Sequence, residues 1–349
     1  MSIKEKFRAW WYNDYKDAKP SVGGQAVLEG VMMKGPKCMA ITVRKADGTM
    51  SYITKPNKTV GEKHKWLRLP FIRGIANFVV MLYEGMKTLT DSADMAGLEA
   101  EEPTKFEKKV AGWLHCKPDD VMMGTAVVLA VVLAVGLFSL LPNFLGSLIK
   151  KSIDNEFTVS LLSGLIRITL FLLYVFLCTR LKEIRRVFMY HGAEHKSIHC
   201  FEHGDELTVE NARKYTTLHP RCGTSFLVIV MVISILCSTL FGLLMPKAVN
   251  ESMLWRMLSR IWLVLPVSGI SYEVLKSLGR ARDTALVKAL RWPGLMAQKL
   301  TTAEPDDSML EVALVSLKAS LGCEKPLPDS YYETNEEAPE QTEKETQQP

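Results

Sequence analysis

The chain has 349 residues, 48% of them hydrophobic, and a formal net charge of only +5. This length allows two domains, and the hydrophobic fraction alone does not separate a soluble from a membrane protein. The modest charge gives no indication of nucleic-acid binding. The seven cysteines share no framework spacing, so we expect reduced thiols rather than a disulfide scaffold.

The N-terminal part is expected to be soluble. Residues 1–20 form a basic, aromatic segment without the apolar run and cleavage site of a signal peptide. Residues 21–62 are predicted to form a small β unit, because two short β-prone runs flank Asp47-Gly48, a strong hairpin signal. Residues 63–120 are then predicted to form interfacial or cytoplasmic helices, most clearly over 71–98.

A glycine-rich segment, residues 23–36, precedes the predicted hairpin. Its glycines would let the backbone approach another element closely or adopt a positive φ. It lacks the order of residues of a phosphate-binding loop. Glu29 lies in this segment between apolar residues and glycine. If the segment folds onto the catalytic centre, Glu29 is a candidate acid–base group or ligand.

Four hydrophobic segments within residues 121–276 predict a membrane domain, since a helix needs about 20 apolar residues to cross a bilayer. The segments are 121–149, 157–178, 225–246 and 253–273. The last is the weakest, because Arg256 and Arg260 lie in its first half. We therefore expect a membrane α-helical fold of about four transmembrane helices, with a small N-terminal β unit and cytoplasmic amphipathic helices.

Charge placement predicts the orientation of these helices. Lysines and arginines are concentrated in the loop 180–223 and directly after the fourth hydrophobic segment. The positive-inside rule then places both termini and this histidine-rich loop in the cytoplasm. Residues 277–322 are expected to form cytoplasmic helices. Residues 323–349 are rich in Pro, Glu and Gln and are expected to be a disordered tail.

The histidine-rich loop carries the main functional signal. Five of the seven histidines lie between residues 191 and 219. His191 and His195 are four apart and so share one face of a helix, with Glu194 beside them. The order H-x-x-E-H is the inverted form of a zinc-hydrolase helix motif. It predicts that both histidines bind a metal ion and that Glu194 is the general base toward an activated water.

The third ligand has two candidates. Glu273, at the end of the fourth hydrophobic segment, is the carboxylate that would complete an inverted zinc motif; an ion pair with Lys276 or Arg186 is the alternative. His219 and Cys222 could instead ligate together, three residues apart across a Pro-containing turn. A thiolate ligand would favour zinc over iron.

His199 continues the histidine stripe by one helical turn. It could bind a second cation. Alternatively, it could lie outside the first coordination shell and hydrogen-bond to a residue that binds the metal. Glu202 and His203 are expected to lie beyond the end of the helix, because Gly204-Asp205 follows them.

Several ordered segments resemble the YqhQ-like family. They are GGQAVLEGVMMKGP, YHGAEHKSIHC, LTVENARKYTTLHPRCGTSF, SYEVLK and LTTAEPDDSMLEVAL, spread over roughly residues 20–320. The resemblance implies a multi-pass protein of the bacterial cytoplasmic (inner) membrane and a metal-dependent enzyme. It supplies no substrate and no oligomeric state.

Three functions are compatible with these features. The first is a zinc hydrolase that acts on a peptide or lipid-linked substrate at the cytoplasmic membrane face. The second is a non-enzymatic scaffold or assembly factor with a structural metal site. The third is a di-iron oxygenase or desaturase, since membrane forms use several H-x-x-x-H pairs, but a second distant histidine box is lacking. Zinc is the expected cofactor, with iron as the alternative, and the lipid bilayer is the expected partner.

Overall fold

The computed structural model describes residues 22–36, 38–56, 69, 72–98, 104–114, 118–150, 153, 155–244 and 253–322. The predicted basic segment 1–20 and the predicted disordered tail 323–349 lie outside these ranges. Within the ranges the chain is predominantly helical, and its strands form one antiparallel sheet. The predicted combination of helices with a small N-terminal β unit is confirmed.

The sheet is a four-stranded antiparallel meander near the N-terminus. Its strands, in spatial order, are β1 (Gly23–Val27), β2 (Gly30–Lys34), β3 (Cys38–Arg44) and β4 (Met50–Pro56). The predicted hairpin is the β3–β4 pair. In its turn Gly48 has a φ of +88°, which glycine adopts without strain. Asp47 Oδ1 accepts a hydrogen bond from the Thr49 amide at 2.8 Å. The glycine-rich segment supplies the second hairpin, β1–β2.

The helices follow the sheet in the chain. They are α1 (Ile72–Ala96), α2 (Lys105–Leu114), α3 (Pro118–Val135), α4 (Leu141–Lys150), α5 (Glu156–Cys178), α6 (Lys182–His203), α7 (Val209–Arg213), α8 (Gly223–Leu244), α9 (Met253–Arg280), α10 (Ala285–Thr301) and α11 (Asp307–Ser320). A π-helical segment, Gly136–Leu140, joins α3 to α4. α10 and α11 lie within residues 277–322, where helices are predicted from the sequence, and Asp306 caps α11 by accepting a hydrogen bond from the Met309 amide.

Helices cover both faces of the sheet. Side chains alternate between the faces of a strand, and in β2 Val31 and Met33 pack with Leu310 of α11 in the largest buried apolar cluster. Met32, between them, packs with Ala96 of α1 on the opposite face. The larger cluster also contains residues of α6, so the sheet and α11 together hold α6 in place.

α6 carries the histidine stripe. It is buried without interruption from Tyr190 to Ile198. A Cβ at Gly192 would lie 2.1 Å from the Ala303 carbonyl oxygen, so the chain after α10 passes directly against α6. The helix ends at Gly204, which has a φ of +88°. The expectation that Glu202 and His203 lie beyond the helix was wrong. Both belong to its last turn, because Gly204 supplies the left-handed residue that follows a helix end.

Two of the described helices are long and apolar enough to cross a membrane, judged by length and composition. The apolar stretches are Leu161–Cys178 in α5 and Gly223–Phe241 in α8, with mean hydropathies of 2.2 and 2.4. The segment predicted at 121–149 contributes a shorter apolar stretch, Gly124–Phe138. The segment predicted at 253–273 forms the first part of α9, where two arginines lower the hydropathy.

Candidate metal-binding site

The clustered histidines come from two parts of the chain, α6 and the turn from His219 to Cys222 that precedes α8. The fully buried Gln298 of α10 holds this turn. Its Oε1 accepts a hydrogen bond from the His219 amide, and its Nε2 donates to the His219 carbonyl oxygen, both at 2.8 Å. Nε2 also donates to Ser225 Oγ at 2.8 Å. The turn is therefore anchored to α10 by its main chain, while its side chains face α6.

His191, His195 and Cys222 form one donor group, here called the inner site. One potential ligand atom of each residue lies within 4.8 Å of the other two. His191 Nε2 is 3.1 Å from Cys222 Sγ. Two imidazoles and a thiol are a donor set suited to a zinc-like transition metal. The structure thus brings together the two histidines of the motif and one of the predicted third ligands.

Backbone carbonyls fix the tautomers of both histidines. His191 Nδ1 lies 2.8 Å from the Thr301 carbonyl oxygen, and His195 Nδ1 lies 2.5 Å from that of Thr217. A carbonyl oxygen only accepts, so each Nδ1 must donate and each Nε2 of the neutral ring keeps a lone pair. His195 Nε2 is buried and has no hydrogen-bond partner in the described part of the chain. This is the arrangement of metal-binding histidines, whose other ring nitrogen is held by an outer partner.

Burial also sets the protonation states of the inner site. It lowers the pKa of His195 well below the usual value, and the neighbouring His191 acts in the same direction. His195 therefore stays neutral, the form that binds metals. Burial raises the pKa of the Cys222 thiol, although the Thr224 hydroxyl and amide favour the thiolate. A cation bound at this thiol would therefore displace its proton.

Glu194 lies beside the inner site. Its side chain is buried, and its Oε2 is 3.8 Å from His191 Nε2. Burial raises the pKa of Glu194 to about 8. His191 opposes this rise and Cys222 adds to it. The carboxyl group can therefore exchange a proton near neutral pH, as a general acid–base group must.

Strand β1 closes the site on the side of Glu194. The Gly24 amide hydrogen-bonds to the Glu194 carboxylate. A Cβ at Gly24 would lie 2.7 Å from Glu194 Cγ and Oε1, whereas one at Gly23 would meet no atom within 4 Å. The predicted close approach of the glycine-rich segment is confirmed at Gly24. The helix that it approaches is α6, and the contact is with Glu194, the candidate general base.

His199, Glu202 and His219 form a second donor group, here called the outer site. Their potential ligand atoms also lie within 4.8 Å of one another. His219 Nε2 is 3.4 Å from Glu202 Oε2, and His199 Nε2 is 2.9 Å from the Leu218 carbonyl oxygen. Arg221 forms an ion pair with Glu202 through Oε1. Burial alone would raise the pKa of Glu202, but His219 and Arg221 together lower it.

The expectation that His219 and Cys222 ligate together is therefore not met. The two residues lie at opposite ends of a turn that runs alongside α6. Cys222 faces His191 and His195, while His219 faces the next helical turn, with His199 and Glu202. Their spacing in the sequence allowed both residues to ligate one ion. Because the turn runs along α6, Cys222 belongs to the inner site and His219 to the outer site.

The remaining candidate residues lie in ion pairs. Glu273 pairs with Arg73 of α1 through two guanidinium nitrogens, Nη2 and Nε, with Nε 2.6 Å from Oε1. The partner is neither of those considered from the sequence, because the packing of α1 on α9 was not foreseen. Glu29 pairs with Arg186, with Nε 2.7 Å from Oε1, and lies 3.5 Å from the Tyr190 hydroxyl. Neither carboxylate belongs to the inner or the outer site.

Three supporting residues were missed by the sequence analysis. Thr217 and Thr301 act through main-chain carbonyls, so their side-chain type carries no signal. Gln298 lies on a helix expected to be cytoplasmic and amphipathic, where a polar residue is normally exposed. Its complete burial is set by packing of α10 against α8, which periodicity alone does not specify.

Comparisons with known proteins place the chain in a family. The family described as "Protein of unknown function (DUF1385)" matches residues 69–323. The chain is also 34% identical over 308 residues to "Uncharacterized protein YqhQ" of Bacillus subtilis (strain 168), covering 87% of this chain and 93% of that protein. No solved structure matches the chain significantly. The chain belongs to the DUF1385 family, which also fits its resemblance to YqhQ-like proteins.

Proposed function

We propose that this protein is a membrane-embedded, metal-dependent hydrolase whose inner site binds one zinc ion through His191, His195 and Cys222. The observation that carries the proposal is the buried Nε2 of His195, which has no hydrogen-bond partner beside the other two donors. Leaving such a group unpaired costs about 1–3 kcal/mol. Coordination of a cation would satisfy it together with the thiol.

The number of protein donors supports a catalytic rather than a purely structural ion. Catalytic zinc sites commonly have three protein ligands and one open position, whereas structural sites have four. An ion held here would activate water and polarise the scissile carbonyl or phosphoryl group. Glu194 is close enough to accept the proton of an attacking water, and its raised pKa suits that role.

We further propose that the site lies at the cytoplasmic face of a bacterial membrane, in a four-span arrangement with both termini in the cytoplasm. The inner site lies between α5 and α8 in the chain, the two described helices that are long and apolar enough to cross a membrane. The flanking loop is rich in lysine and arginine, as cytoplasmic loops are. A site at this depth would suit a peptide segment or a lipid-linked substrate that approaches along the bilayer surface.

The competing function is a scaffold with a structural metal ion. Glu194 is buried and lies near His191, so it could serve as a fourth ligand and close the shell. Its hydrogen bond from the Gly24 amide would then link the ion to the sheet. A di-iron oxygenase is a weaker alternative, because the thiol of Cys222 in the inner site favours zinc over iron.

The test separates an open from a closed site without knowledge of the substrate. Full-length protein purified in detergent is loaded with cobalt, and its affinity is compared between wild type and Glu194→Gln. Acetohydroxamate, a small bidentate chelator, is then added as a probe of an open coordination position. The hydrolase proposal expects that Glu194→Gln keeps its cobalt affinity and that acetohydroxamate changes the cobalt spectrum of both proteins.

Two results would overturn the hydrolase proposal. A large loss of cobalt affinity in Glu194→Gln would identify the carboxylate as a ligand of a closed site. A folded His195→Ala protein that binds as many cobalt equivalents as wild type and keeps the sulfur-to-cobalt charge-transfer absorption would show that the inner site is not the binding site. The matched control is His203→Ala, because His203 is an exposed histidine of the same helix and belongs to neither site.

A further inference from the structure

We propose that the outer site, formed by His199, Glu202 and His219, binds a second divalent transition-metal ion independently of the inner site. This goes beyond the proposed hydrolase and does not rest on it, because the two sites share no ligand. The inference starts from the three potential ligand atoms that lie within 4.8 Å of one another.

The contacts within the outer site are long. His219 is almost fully buried, and its Nδ1 accepts a hydrogen bond from the Arg221 amide at 3.3 Å. Its Nε2 therefore donates to Glu202 Oε2, at 3.4 Å against the usual 2.7–3.2 Å of such a bond. His199 Nε2 must donate to the Leu218 carbonyl oxygen, which leaves a lone pair on Nδ1. A cation would bind His219 through Nε2 once the ring proton has moved to Nδ1, and it would replace the long contact with three coordinate bonds.

Arg221 does not occupy this gap. Its guanidinium contacts Glu202 Oε1, while Oε2 of the same carboxylate is directed toward His219. The arginine side chain is more than a third exposed, so it can turn toward solvent when a cation arrives. The carboxylate oxygen that faces the histidines is thus available without breaking a buried ion pair.

The distance between the sites decides whether the ions act as a pair. The α6 ligands of the two sites lie about two helical turns apart, but the turn before α8 brings the sites closer, with the ring centroids of His195 and His219 5.6 Å apart. Two-metal catalytic centres hold their ions only about 3.5–4 Å apart. Because the two sites share no ligand, we propose the outer ion as a separate ion and not as one half of a bridged pair. It would instead clamp the last turns of α6 to His219, at the start of the turn whose other end carries Cys222.

The experiment counts ions and identifies their donors. Metal-free, full-length protein in detergent is titrated with cobalt, and bound equivalents and the absorption spectrum are recorded. Only a site with a thiolate ligand gives sulfur-to-cobalt charge-transfer absorption. Wild type should bind two equivalents and show this absorption. His199→Ala and Glu202→Gln should each bind one equivalent and keep the charge-transfer absorption. Cys222→Ser should lose this absorption and keep the equivalent bound at the outer site.

Several outcomes contradict the proposal. One equivalent in wild type that shows the sulfur-to-cobalt absorption, or two equivalents in His199→Ala, would remove the outer site. Loss of the charge-transfer absorption in the folded Glu202→Gln protein would show that the sites are not independent. Failure of the inner site looks different, since wild type would then bind one equivalent without sulfur absorption. His203→Ala should match wild type throughout, and thermal midpoints verify that each variant is folded.

Discussion

His191 Nε2 and Cys222 Sγ lie 3.1 Å apart although 31 residues separate them in the chain. The contact joins the helix that follows the first strongly apolar helix to the turn that precedes the second. It depends on three backbone anchors: the Thr301 and Thr217 carbonyls that orient the imidazoles, and the main chain of His219 held by Gln298. The predictions below test the contact and these anchors.

Zinc should protect Cys222 from alkylation. The residue is partly exposed and burial raises the pKa of its thiol, so iodoacetamide should modify it in metal-free protein at alkaline pH, where the thiolate forms. Coordination would block the sulfur. Cysteine-containing peptides are quantified by mass spectrometry with and without zinc. Cys38, a partly buried thiol on β3 outside both sites, is the internal control. Equal modification of Cys222 with and without zinc would argue against its ligation.

Glu194→Gln should stabilise the metal-free protein in a pH-dependent way. The pKa of Glu194 is raised from 4.5 to about 8 in the folded state. The stability contributed by its protonated form is therefore present below pH 4.5 and lost as the pH rises through 8. Glutamine does not ionise. The thermal midpoint of the variant relative to wild type should thus rise between pH 5 and pH 9 in the presence of EDTA.

Glu202→Gln is the matched comparison for this pH series, because the pKa of Glu202 is lowered. Its ionised form stabilises the fold at neutral pH and this contribution is lost in acid. Glu202→Gln should therefore be less stable than wild type at pH 7, and the difference should shrink toward pH 3. The same pH trend for both variants would contradict the opposite environments of the two carboxyl groups.

Gly24→Ala and Gly23→Ala should differ sharply. A methyl group at position 24 would lie 2.7 Å from Glu194 Cγ, whereas one at position 23 meets nothing within 4 Å. Overpacking of this kind costs about 1–3 kcal/mol. We expect Gly24→Ala to lower the thermal midpoint and to displace the carboxylate, while Gly23→Ala stays close to wild type. Indistinguishable midpoints for the two variants would mean that β1 does not pack on Glu194 as described.

The sequence predicted the parts of this molecule that depend on local pattern. The Asp47-Gly48 hairpin, the helix that carries His191 and His195, and the capped helix after Asp306 all follow from turn chemistry and spacing. The spacing of four residues between His191 and His195 likewise predicted that their side chains share one face of α6.

The errors arise where two distant segments meet. Glu273 was chosen as a ligand from its position along the chain, but α1 packs beside it and supplies Arg73. His219 and Cys222 were paired by sequence distance, whereas the direction of their turn separates them. Thr217 and Thr301 contribute carbonyl oxygens, a role that any residue type can fill. These ion pairs and hydrogen bonds depend on how distant helices pack against one another. Hydrophobic periodicity identifies the helices but does not specify that packing.

The orientation of the protein in the membrane can be tested in intact cells. In the proposed four-span topology Asn155, which caps α5, faces outward, while Asp205 and Asp283 are cytoplasmic. An impermeant maleimide should label Asn155→Cys without permeabilisation, and Asp205→Cys and Asp283→Cys only after it. The wild-type protein serves as the background, because its cysteines are all expected in the cytoplasm or within spans. External labelling of Asp205→Cys would place the histidine-rich segment on the other side of the membrane.

Gln298→Ala should weaken both sites at once, although Gln298 is a ligand of neither. Its amide satisfies the amide and carbonyl of His219 and also contacts Ser225 in a fully buried position. Each of the two buried backbone groups left unpaired costs about 1–3 kcal/mol, so a loss of about 2–6 kcal/mol in stability is expected. The turn that presents His219 and Cys222 would lose its anchor. Cobalt affinity should fall about 10- to 100-fold at each site, as it does when outer-shell partners of metal ligands are removed.

Lys299→Ala, at the exposed neighbouring position, should bind cobalt like wild type. A folded Gln298→Ala protein with wild-type affinity at both sites would show that the turn is held by other contacts.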